Sequence, residues 1–434
     1  MRFARHLIAL LAASALTGPA LAQQPSAEKP GMGPNPRLPQ PDRAASVEKY
    51  SRIIGWPEGR TPTAPDKFRA TAFARGLENP RWLYVLPNGD VLVAEARSLP
   101  RSDQPATKRQ GMIASGSIGV SANRITLLRD ADRDGVPEIR SVFLENLNQP
   151  FGMALVGDTF FVANTDGVMR FPYKEGSTSI EAPGEIILPL PSGGYNNHWT
   201  RNILASPDGR KLYVSVGSAS NAGEYGLDQE IRRANILEIN LDGSGERIFA
   251  AGLRNPNGMG WEPTTGALWT AVNERDGLGD DIVPDYITSV RENGFYGWPY
   301  SYFGQNKDPD QGDKRPDLVA RAVVPDYALG SHTASLGFAF YNGRSFPERY
   351  RGGAFIGQRG SWNRSRFSGY KVVFVPFRDG KPSGSPEDFL TGFMANAQTG
   401  EAHGRPVGLA LLPDGSLLVA DDAGNTVWRV QAAR

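Results

Sequence analysis

One of the four histidines in the sequence lies in a polar and aromatic segment, GGYNNHWTRN at residues 193–202. His198 is flanked by Asn197 and Trp199, and Arg201 follows three positions later. A histidine side chain titrates near neutral pH, so it can take up or release a proton during a reaction. The segment therefore predicts an acid–base residue, which needs an electrophilic partner elsewhere in the chain.

Arginine and amide side chains recur just before short apolar segments. They are Asn148, Gln149, Arg201, Arg254, Asn255, Arg364 and Arg405. Guanidinium groups stay charged and bind carboxylates in bidentate fashion, so arginines gathered at one site would repel one another without an anionic ligand. This pattern predicts a small ligand that carries several carboxylates and stacks on Trp199 or Trp362. The alternative is that the arginines pair with acidic loop residues such as Glu274 and Asp281.

Two further histidines, His332 and His403, also stand immediately before apolar segments. Equivalent positions in successive repeats would place them with His198 around one opening. The alternative is that each is a hydrogen-bonded loop residue.

Two acidic segments are candidates for binding calcium. The loop NERDGLGDDIVPD at residues 273–285 offers carboxylate and carbonyl oxygens, which are hard ligands, although a solvated acidic loop has the same composition. The stretch DADRDG from Asp130 resembles the start of an EF-hand loop, but the twelfth position is Ser141 where that loop needs a bidentate glutamate. We therefore favour a hairpin turn over a bound ion there.

Composition excludes several classes of protein. The chain has no cysteine, so thiol catalysis and thiolate metal ligation are ruled out. The first 22 residues have two arginines ahead of a short apolar run and predict a cleaved signal peptide, hence a periplasmic protein with no membrane-spanning segment. Removal of that peptide changes the balance from 47 basic against 46 acidic residues to 45 against 46. Such a near-neutral charge argues against a nucleic acid partner.

A repeated layout predicts the elements that position these residues. Six segments, at 78–96, 148–171, 198–218, 255–274, 333–358 and 404–422, each have an apolar strand, a tight turn and a second apolar strand. Such recurrence is typical of a β-propeller and is not explained by a pair of packed sheets. We predict an all-β, six-bladed β-propeller with long inter-strand loops over residues 66–434. The strand near 67–73 is predicted to complete the last blade, and residues 23–65 form an extended Pro/Gly-rich leader with little order of its own.

The segments NNHWTRN, GLRNPNG, NERDGLGDD, GSWNRS and GRPVGLALLPDGSLLVADD resemble the soluble pyrroloquinoline quinone (PQQ)-dependent sugar dehydrogenases of the glucose/sorbosone dehydrogenase superfamily. The sorbosone-type branch is more similar than the glucose branch, and the resemblance covers the chain from about residue 66. It implies a periplasmic oxidoreductase that oxidises a sugar, or a sugar-derived aldehyde or alcohol, by hydride transfer to calcium-bound PQQ. A cytochrome or a quinone would then accept the electrons.

The resemblance also implies roles for individual residues. His198 corresponds to the general base, and calcium would lie at Asp276 and Gly277. The expected PQQ ligands are Gln149, Arg201, Arg254, Asn255, Thr333, Arg364 and Arg405. Two departures from the glucose branch concern the substrate and the metal loop: Asn197 replaces an acidic residue before the histidine, and Asp276-Gly277 replaces Gly-Pro.

Two other functions are compatible with a propeller. A calcium-dependent lactonase-type hydrolase would need carboxylate and amide ligands converging on one ion with an open position for water. A non-catalytic propeller would bind carbohydrate or protein through its loops and would take up no quinone, because a fold does not specify a function.

Overall fold

The structure is a computed structural model that describes residues 31–433. The predicted signal peptide and the first part of the predicted leader lie outside these residues. Most of the regular structure is β-strand, as predicted, and the strands form many small antiparallel sheets. None of the helices within residues 31–433 has the length and apolar character needed to cross a bilayer.

Six antiparallel sheets of at least four strands follow one another along the chain, and we number them 1 to 6. Sheet 3 carries an added parallel strand, Gly294–Phe295, and sheet 4 carries an added edge strand, Met32–Gly33. The four main strands of sheets 1 to 3 are Pro80–Val85, Val91–Glu95, Arg124–Arg129 and Ile139–Leu144; Met153–Val156, Thr159–Asn164, Gly167–Pro172 and Glu185–Pro189; and Arg201–Ala205, Lys211–Val216, Asn235–Asn240 and Arg247–Ala251.

The main strands of sheets 4 to 6 follow the same order of pairing. They are Pro256–Trp261, Leu268–Val272, Pro284–Ser289 and Tyr327–Ser331; Ser335–Phe340, Ala354–Gln358, Lys371–Val375 and Glu387–Leu390; and Pro406–Leu411, Leu417–Asp421, Thr426–Ala432 and Phe68–Arg75. The first two strands of every sheet lie in one of the six segments that the sequence predicts as hairpins. That prediction is confirmed.

Shorter elements lie in the connections. The strands are Arg52–Ile53, Ser301–Tyr302, Asn306–Lys307, Phe377–Arg378, Lys381–Pro382, Met394–Asn396 and Glu401–Ala402, the α-helices are Ala106–Ala114 and Pro316–Arg321, and the 3-10 helices are Arg43–Ala45, Leu227–Glu230, Gly312–Lys314 and Glu348–Tyr350. The helix Ala106–Ala114 belongs to a long insertion, residues 97–123, between the second and third strands of sheet 1.

Each sheet buries its two faces against its two neighbours. Alternate side chains of a β-strand point to opposite faces. In the second strand of sheet 1, Leu92 and Ala94 pack toward sheet 2, whereas Val91 and Val93 pack toward sheet 6. The apolar core of the described residues is accordingly divided into six clusters, one at each boundary between neighbouring sheets. Every sheet therefore depends on both neighbours for its burial.

The first strands of the sheets contact one another in chain order, and the first strand of sheet 6 contacts that of sheet 1. The fourth strand of sheet 6, Phe68–Arg75, comes from the other end of the chain and pairs antiparallel with Thr426–Ala432. The predicted role of the strand near 67–73 is thereby confirmed. Its Phe73 is 2% exposed and packs in the cluster between sheets 6 and 1.

The described part of the predicted leader, residues 31–65, runs along the sheets. Met32–Gly33 pairs with sheet 4, and Arg52–Ile53 pairs in parallel with Glu401–Ala402. The many proline and glycine residues predicted an extended backbone, and the backbone of this segment is extended. They did not predict its hydrogen bonds to the sheets.

We expect Phe73→Ala to lower the free energy of unfolding by about 3–5 kcal/mol, because truncation of a buried phenylalanine removes apolar contacts and leaves a cavity. Urea unfolding followed by tryptophan fluorescence measures this loss. Arg69→Ala, at an exposed position of the same strand, is the control and should change the value by less than about 0.5 kcal/mol. Equal effects of the two substitutions would show that the strand does not close the sixth sheet.

Candidate functional site

A cavity of about 640 Å³ lies where the first strands of the sheets begin. Its size is typical of sites for small molecules. The residues at or next to these strand starts that line it are Arg81, His198, Trp199, Thr200, Asn255, Asn257, Leu336 and Arg405. The repeated layout thus brings together side chains that are far apart in the sequence, including three of the predicted site residues.

His198 lies in the wall of the cavity and is 9% exposed. Its Nδ1 is 2.9 Å from the carbonyl oxygen of Ser218. A carbonyl only accepts hydrogen bonds, so Nδ1 carries the proton and Nε2 carries the lone pair in the neutral ring. Burial and the positive charge of Arg254 lower the pKa of His198 well below its usual value. The ring is therefore neutral, and its unprotonated Nε2 accepts a long hydrogen bond from Asn197 Nδ2 at 3.5 Å.

Three arginines, Arg81, Arg359 and Arg405, line the cavity around one carboxylate. Arg81 and Arg359 donate to Asp422 at 2.5 and 2.6 Å, and Arg405 donates to backbone carbonyls. Burial and the neighbouring Arg359 lower the pKa of both Arg81 and Arg405 to about 10, so each stays charged at neutral pH. Buried like charges are costly without counterions. The excess of positive charge favours an anion in the cavity.

Four buried polar atoms of lining residues have no hydrogen-bond partner within residues 31–433, namely Arg81 Nε, Arg101 Nε, Gln104 Oε1 and Asn255 Oδ1. Such a group costs about 1–3 kcal/mol when it is left without a partner. Asn255 is 5% exposed, and its position is fixed because its backbone carbonyl accepts bonds from Asn257 and from the amide of Asn273. A ligand with both donor and acceptor groups would satisfy these atoms.

Asp276 and Gly277, from the predicted calcium loop, also line the cavity. The Asp276 carboxylate lies 3.4 Å from His332 Nδ1 and 3.6 Å from Arg254, and it accepts a hydrogen bond from Asn363. Burial raises the pKa of Asp276, but these three neighbours outweigh it and lower the pKa to about 2. Gly277 has a φ of +85°, which glycine adopts without strain. Together they offer an ionised carboxylate and a backbone carbonyl, both suited to a hard cation.

Arg201 and Arg254 do not line the cavity, contrary to the prediction that they face a ligand there. Arg201 is fully buried and donates to the carbonyls of His198 and Thr200, and Arg254 donates to the carbonyl of Glu274. These bonds fix the backbone on which His198 and the predicted calcium loop are carried. The two arginines therefore support the site from behind.

Gln149, Thr333 and Arg364 also lie outside the lining of the cavity. Their partners are the carbonyl of Arg97 at 2.8 Å, the carboxylate of Asp285 at 2.9 Å and the carboxylate of Asp281, respectively. The pairing of Arg364 with an acidic loop residue is the alternative that the sequence left open.

The other two histidines have supporting positions. Nε2 of His332 donates to the carbonyl of Gly279 at 2.8 Å, and burial, which lowers the pKa of His332, is outweighed by Asp276, so the pKa is raised. His403 is bonded to the carbonyl of Gly55 and packs on Trp56 at 4.9 Å. Neither ring lines the opening beside His198, so the expected group of three histidines does not form.

The DADRDG segment connects two adjacent strands of sheet 1, which confirms the predicted hairpin. Its carboxylates, from Asp130, Asp132 and Asp134, come within 4.8 Å of one another and of Glu138. Glu138 was not among the residues that the EF-hand pattern singled out in the sequence. This group lies away from the cavity.

Sequence reasoning missed Arg81 and Arg359. Arg81 lies at the start of the first repeat, in ENPRWL. Arg201 and Arg405 were predicted from the same position in their own repeats, so the same signal was available for Arg81. Arg359 follows the second strand of sheet 5 and has no counterpart in the other repeats. Also unforeseen were lining residues from the leader and from the insertion 97–123, among them Glu48, Tyr50 and Lys108.

Comparison with known proteins supports one family. The sequence model described as glucose/sorbosone dehydrogenase matches residues 159–361, and a second model, described as TrAA12-like, matches residues 302–433. An uncharacterized protein of Borreliella burgdorferi is 32% identical over 297 residues, which cover 66% of this chain and 76% of that protein. A pyrroloquinoline quinone-dependent sugar dehydrogenase of Hypocrea jecorina is 24% identical over 304 residues, which cover 63% of this chain and 64% of that enzyme.

The fold is similar to that of solved dehydrogenases. The holo form of the PQQ domain of pyranose dehydrogenase from Coprinopsis cinerea superposes with a TM-score of 0.68 at 21% identity, covering 88% of this chain and all of that domain. At this level of identity the superposition shows the architecture alone, and the sequence matches carry the relationship. On these grounds the chain belongs to the glucose/sorbosone dehydrogenase family.

Proposed function

We propose that this protein is a quinoprotein oxidoreductase, built as a six-bladed β-propeller, that oxidises a sugar or a sugar-derived aldehyde or alcohol with PQQ as its electron acceptor. The observation that carries the proposal is a cavity in which the buried Arg81 and Arg405 and the partly buried Arg359 surround one carboxylate while a neutral histidine lines the same space. The six sheets with their cyclic contacts support six blades. The PQQ-dependent relatives support the cofactor class.

The cavity fits a planar, polycarboxylate cofactor. Arg81, Arg359 and Arg405 would bind its carboxylates, and Asn255 Oδ1 is an acceptor without a partner in the described structure. Trp199 lines the cavity beside Arg81, whose guanidinium lies 5.3 Å from the centre of the indole ring. When bound, PQQ supplies a two-electron acceptor for hydride, which no amino-acid side chain provides.

Asp276 and Gly277 are the residues that would hold a calcium ion. Calcium takes six to eight oxygen ligands, so these two groups fill part of its shell and the cofactor and water would complete it. His332, Arg254 and Asn363 lower the pKa of Asp276 to about 2, so its carboxylate is ionised and can act as an oxygen ligand. A cation there acts as a Lewis acid toward a nearby carbonyl group.

His198 would accept the proton of the substrate hydroxyl. The bond from Nδ1–H to Ser218 fixes the tautomer, so Nε2 carries the lone pair, and a substrate hydroxyl would replace the long contact from Asn197 Nδ2 there. As the O–H bond breaks, its proton passes to Nε2 and its electrons form the carbonyl bond of the product, while the hydrogen on carbon leaves with two electrons. Arg201 holds the His198 carbonyl at 2.6 Å and keeps the base in place.

The wider setting follows from the sequence. We propose a periplasmic location, on the basis of the N-terminal pattern of two arginines and a short apolar run. A cytochrome or a quinone would reoxidise the cofactor. The substrate belongs to the sugars and their aldehyde or alcohol derivatives, as in the dehydrogenases that share the family.

Titration of the apoprotein with PQQ in the presence of calcium, followed by absorbance, tests the cofactor. We expect stoichiometric uptake, and at least a tenfold higher dissociation constant in Arg359→Gln, because a charge-assisted contact with a carboxylate contributes about 1.5–3 kcal/mol. Arg364→Gln is the matched control, since this arginine lies outside the cavity and should bind PQQ normally. Absence of uptake would contradict the proposal and favour a metal-dependent hydrolase that uses Asn255, Asn273 and Asp276 as ligands.

His198→Gln should lower kcat by about 10²–10⁴-fold while PQQ uptake is retained, because the variant loses the general base and keeps the arginines. Turnover is measured with a panel of aldoses, aldehydes and polyols and an artificial electron acceptor. His403→Gln, the control, changes a ring outside the cavity and should leave kcat unaltered. Normal turnover in His198→Gln would exclude this histidine as the base.

The buried position of His198 predicts a pH dependence. Because its pKa is depressed, the neutral form persists below pH 6.5, and the acid limb of kcat/KM should fall below that pH. Long-range ¹H–¹⁵N spectra of histidine-labelled protein should show the His198 ring neutral at pH 6, with Nδ1 protonated, and the His198→Gln variant identifies its signals. A ring that titrates at or above pH 6.5 would contradict this environment.

A further inference from the structure

A short segment of the leader passes along one side of the cavity. Four residues of a strap, residues 46–50, line the cavity: Ser46, Val47, Glu48 and Tyr50. The strap is anchored by backbone bonds on both sides, from Asp42 to the carbonyl of Leu278 at 2.8 Å and from Lys49 to the carbonyl of Trp362 at 2.7 Å. It therefore connects the calcium loop of sheet 4 with the loop that follows the second strand of sheet 5.

The helix Ala106–Ala114, which belongs to the insertion in sheet 1, also contacts the strap. Lys108, in its first half, lies 2.9 Å from Glu48 and 4.7 Å from the ring centre of Trp362. All three side chains line the cavity. One ion pair thus joins two elements that arise from distant parts of the chain.

Aromatic packing brings the two elements into close contact. The rings of Tyr50 and Trp362 are stacked, with centres 5.7 Å apart and planes inclined at 19°. A Cβ atom added at Gly111 of the helix would lie 2.3 Å from the Tyr50 ring, so helix and strap are packed without room for a methyl group. We call the strap and the helix together the cover.

The cover does not include the residues that line the cavity next to sheets 2 and 3. There Tyr195 and Tyr225 lie with ring centres 4.2 Å apart, and Arg101 from the insertion lies 4.1 Å from the Tyr195 ring. Tyr225 is 54% exposed. The cavity therefore communicates with solvent beside a pair of tyrosines, and the groups around this opening are the aromatic rings and hydrogen-bonding side chains that suit a polyhydroxylated compound.

We propose that the cover restricts the substrate to a single sugar ring or a sugar-derived aldehyde of similar size, that the Glu48–Lys108 pair holds the cover closed, and that Tyr50 and Trp362 form its contact surface with the substrate. This inference rests on the proposed quinoprotein function. Strap, helix and Trp362 border the cavity away from the opening beside Tyr195 and Tyr225, so the further rings of a longer saccharide must either displace the cover or be confined to that opening.

The test compares saccharides of one, two and three rings on the PQQ-loaded, full-length protein, with glucose, maltose and maltotriose and with xylose, xylobiose and xylotriose. In the unsubstituted protein we expect kcat/KM to fall at least about tenfold from one ring to three.

Glu48→Ala and Lys108→Ala should each reduce that fall to about threefold or less. The double variant should do no more than either single one, because both remove the same pair. Glu58→Ala, an exposed glutamate of the same leader outside the cavity, should retain the original fall.

A second readout does not depend on turnover. The cover borders the space that PQQ enters, so the rate of PQQ uptake, followed by stopped-flow absorbance, should rise severalfold in Glu48→Ala and Lys108→Ala with unchanged stoichiometry. Failure of every variant to take up PQQ would overturn the quinoprotein function together with this inference. Two results would overturn the role of the cover alone while PQQ uptake remains normal. One is an equal kcat/KM for one and three rings in the unsubstituted protein. The other is that neither substitution changes the uptake rate or the dependence of kcat/KM on saccharide length.

Discussion

Three guanidinium groups around one buried carboxylate form the interaction on which the rest of the site depends. Asp422 accepts from Arg81 of sheet 1 and from Arg359 after sheet 5, and it lies next to the end of the second strand of sheet 6. The carboxylate therefore ties three consecutive sheets together at the cavity. It offsets only part of the positive charge, and the remainder makes the cavity attractive to an anion.

The cyclic arrangement of sheets makes this interaction possible. Each sheet presents the start of its first strand to the same space, so one residue per repeat is enough to build a ligand site from the whole chain. Arg201 and Arg254 lie behind the wall and use their donors on backbone carbonyls and asparagine side chains. Arg405 also donates to backbone carbonyls, but it lines the cavity, so it both holds the loop after the second strand of sheet 5 and contributes positive charge to the site.

Much of the fold could be predicted from sequence because apolar strands and glycine turns are local signals. All six hairpins and the closing strand near 67–73 were recognisable in this way. The site was predictable only in part. His198, Asn255, Arg405, Asp276 and Gly277 line the cavity, but the direction of an arginine side chain depends on tertiary packing, and nothing local distinguishes Arg254, which is bonded behind the wall, from Arg405. The contacts of the leader were not foreseen for the same reason, because the bonds that tie it to the sheets, such as those from Asp42 to Leu278 and from Arg52 to Gly400, are to distant residues.

The closing strand has a consequence for how the molecule is made. Asn79 and Asn425, which are hydrogen-bonded beside this junction, are 346 positions apart. Sheets 1 to 5 can form in order as the chain emerges, since each is built mainly from consecutive strands, but sheet 6 needs segments from both ends. The nascent protein must therefore persist as an open series of sheets with two uncovered apolar faces until its last strands emerge. Its capacity to bind any ligand at the centre begins only with that final step.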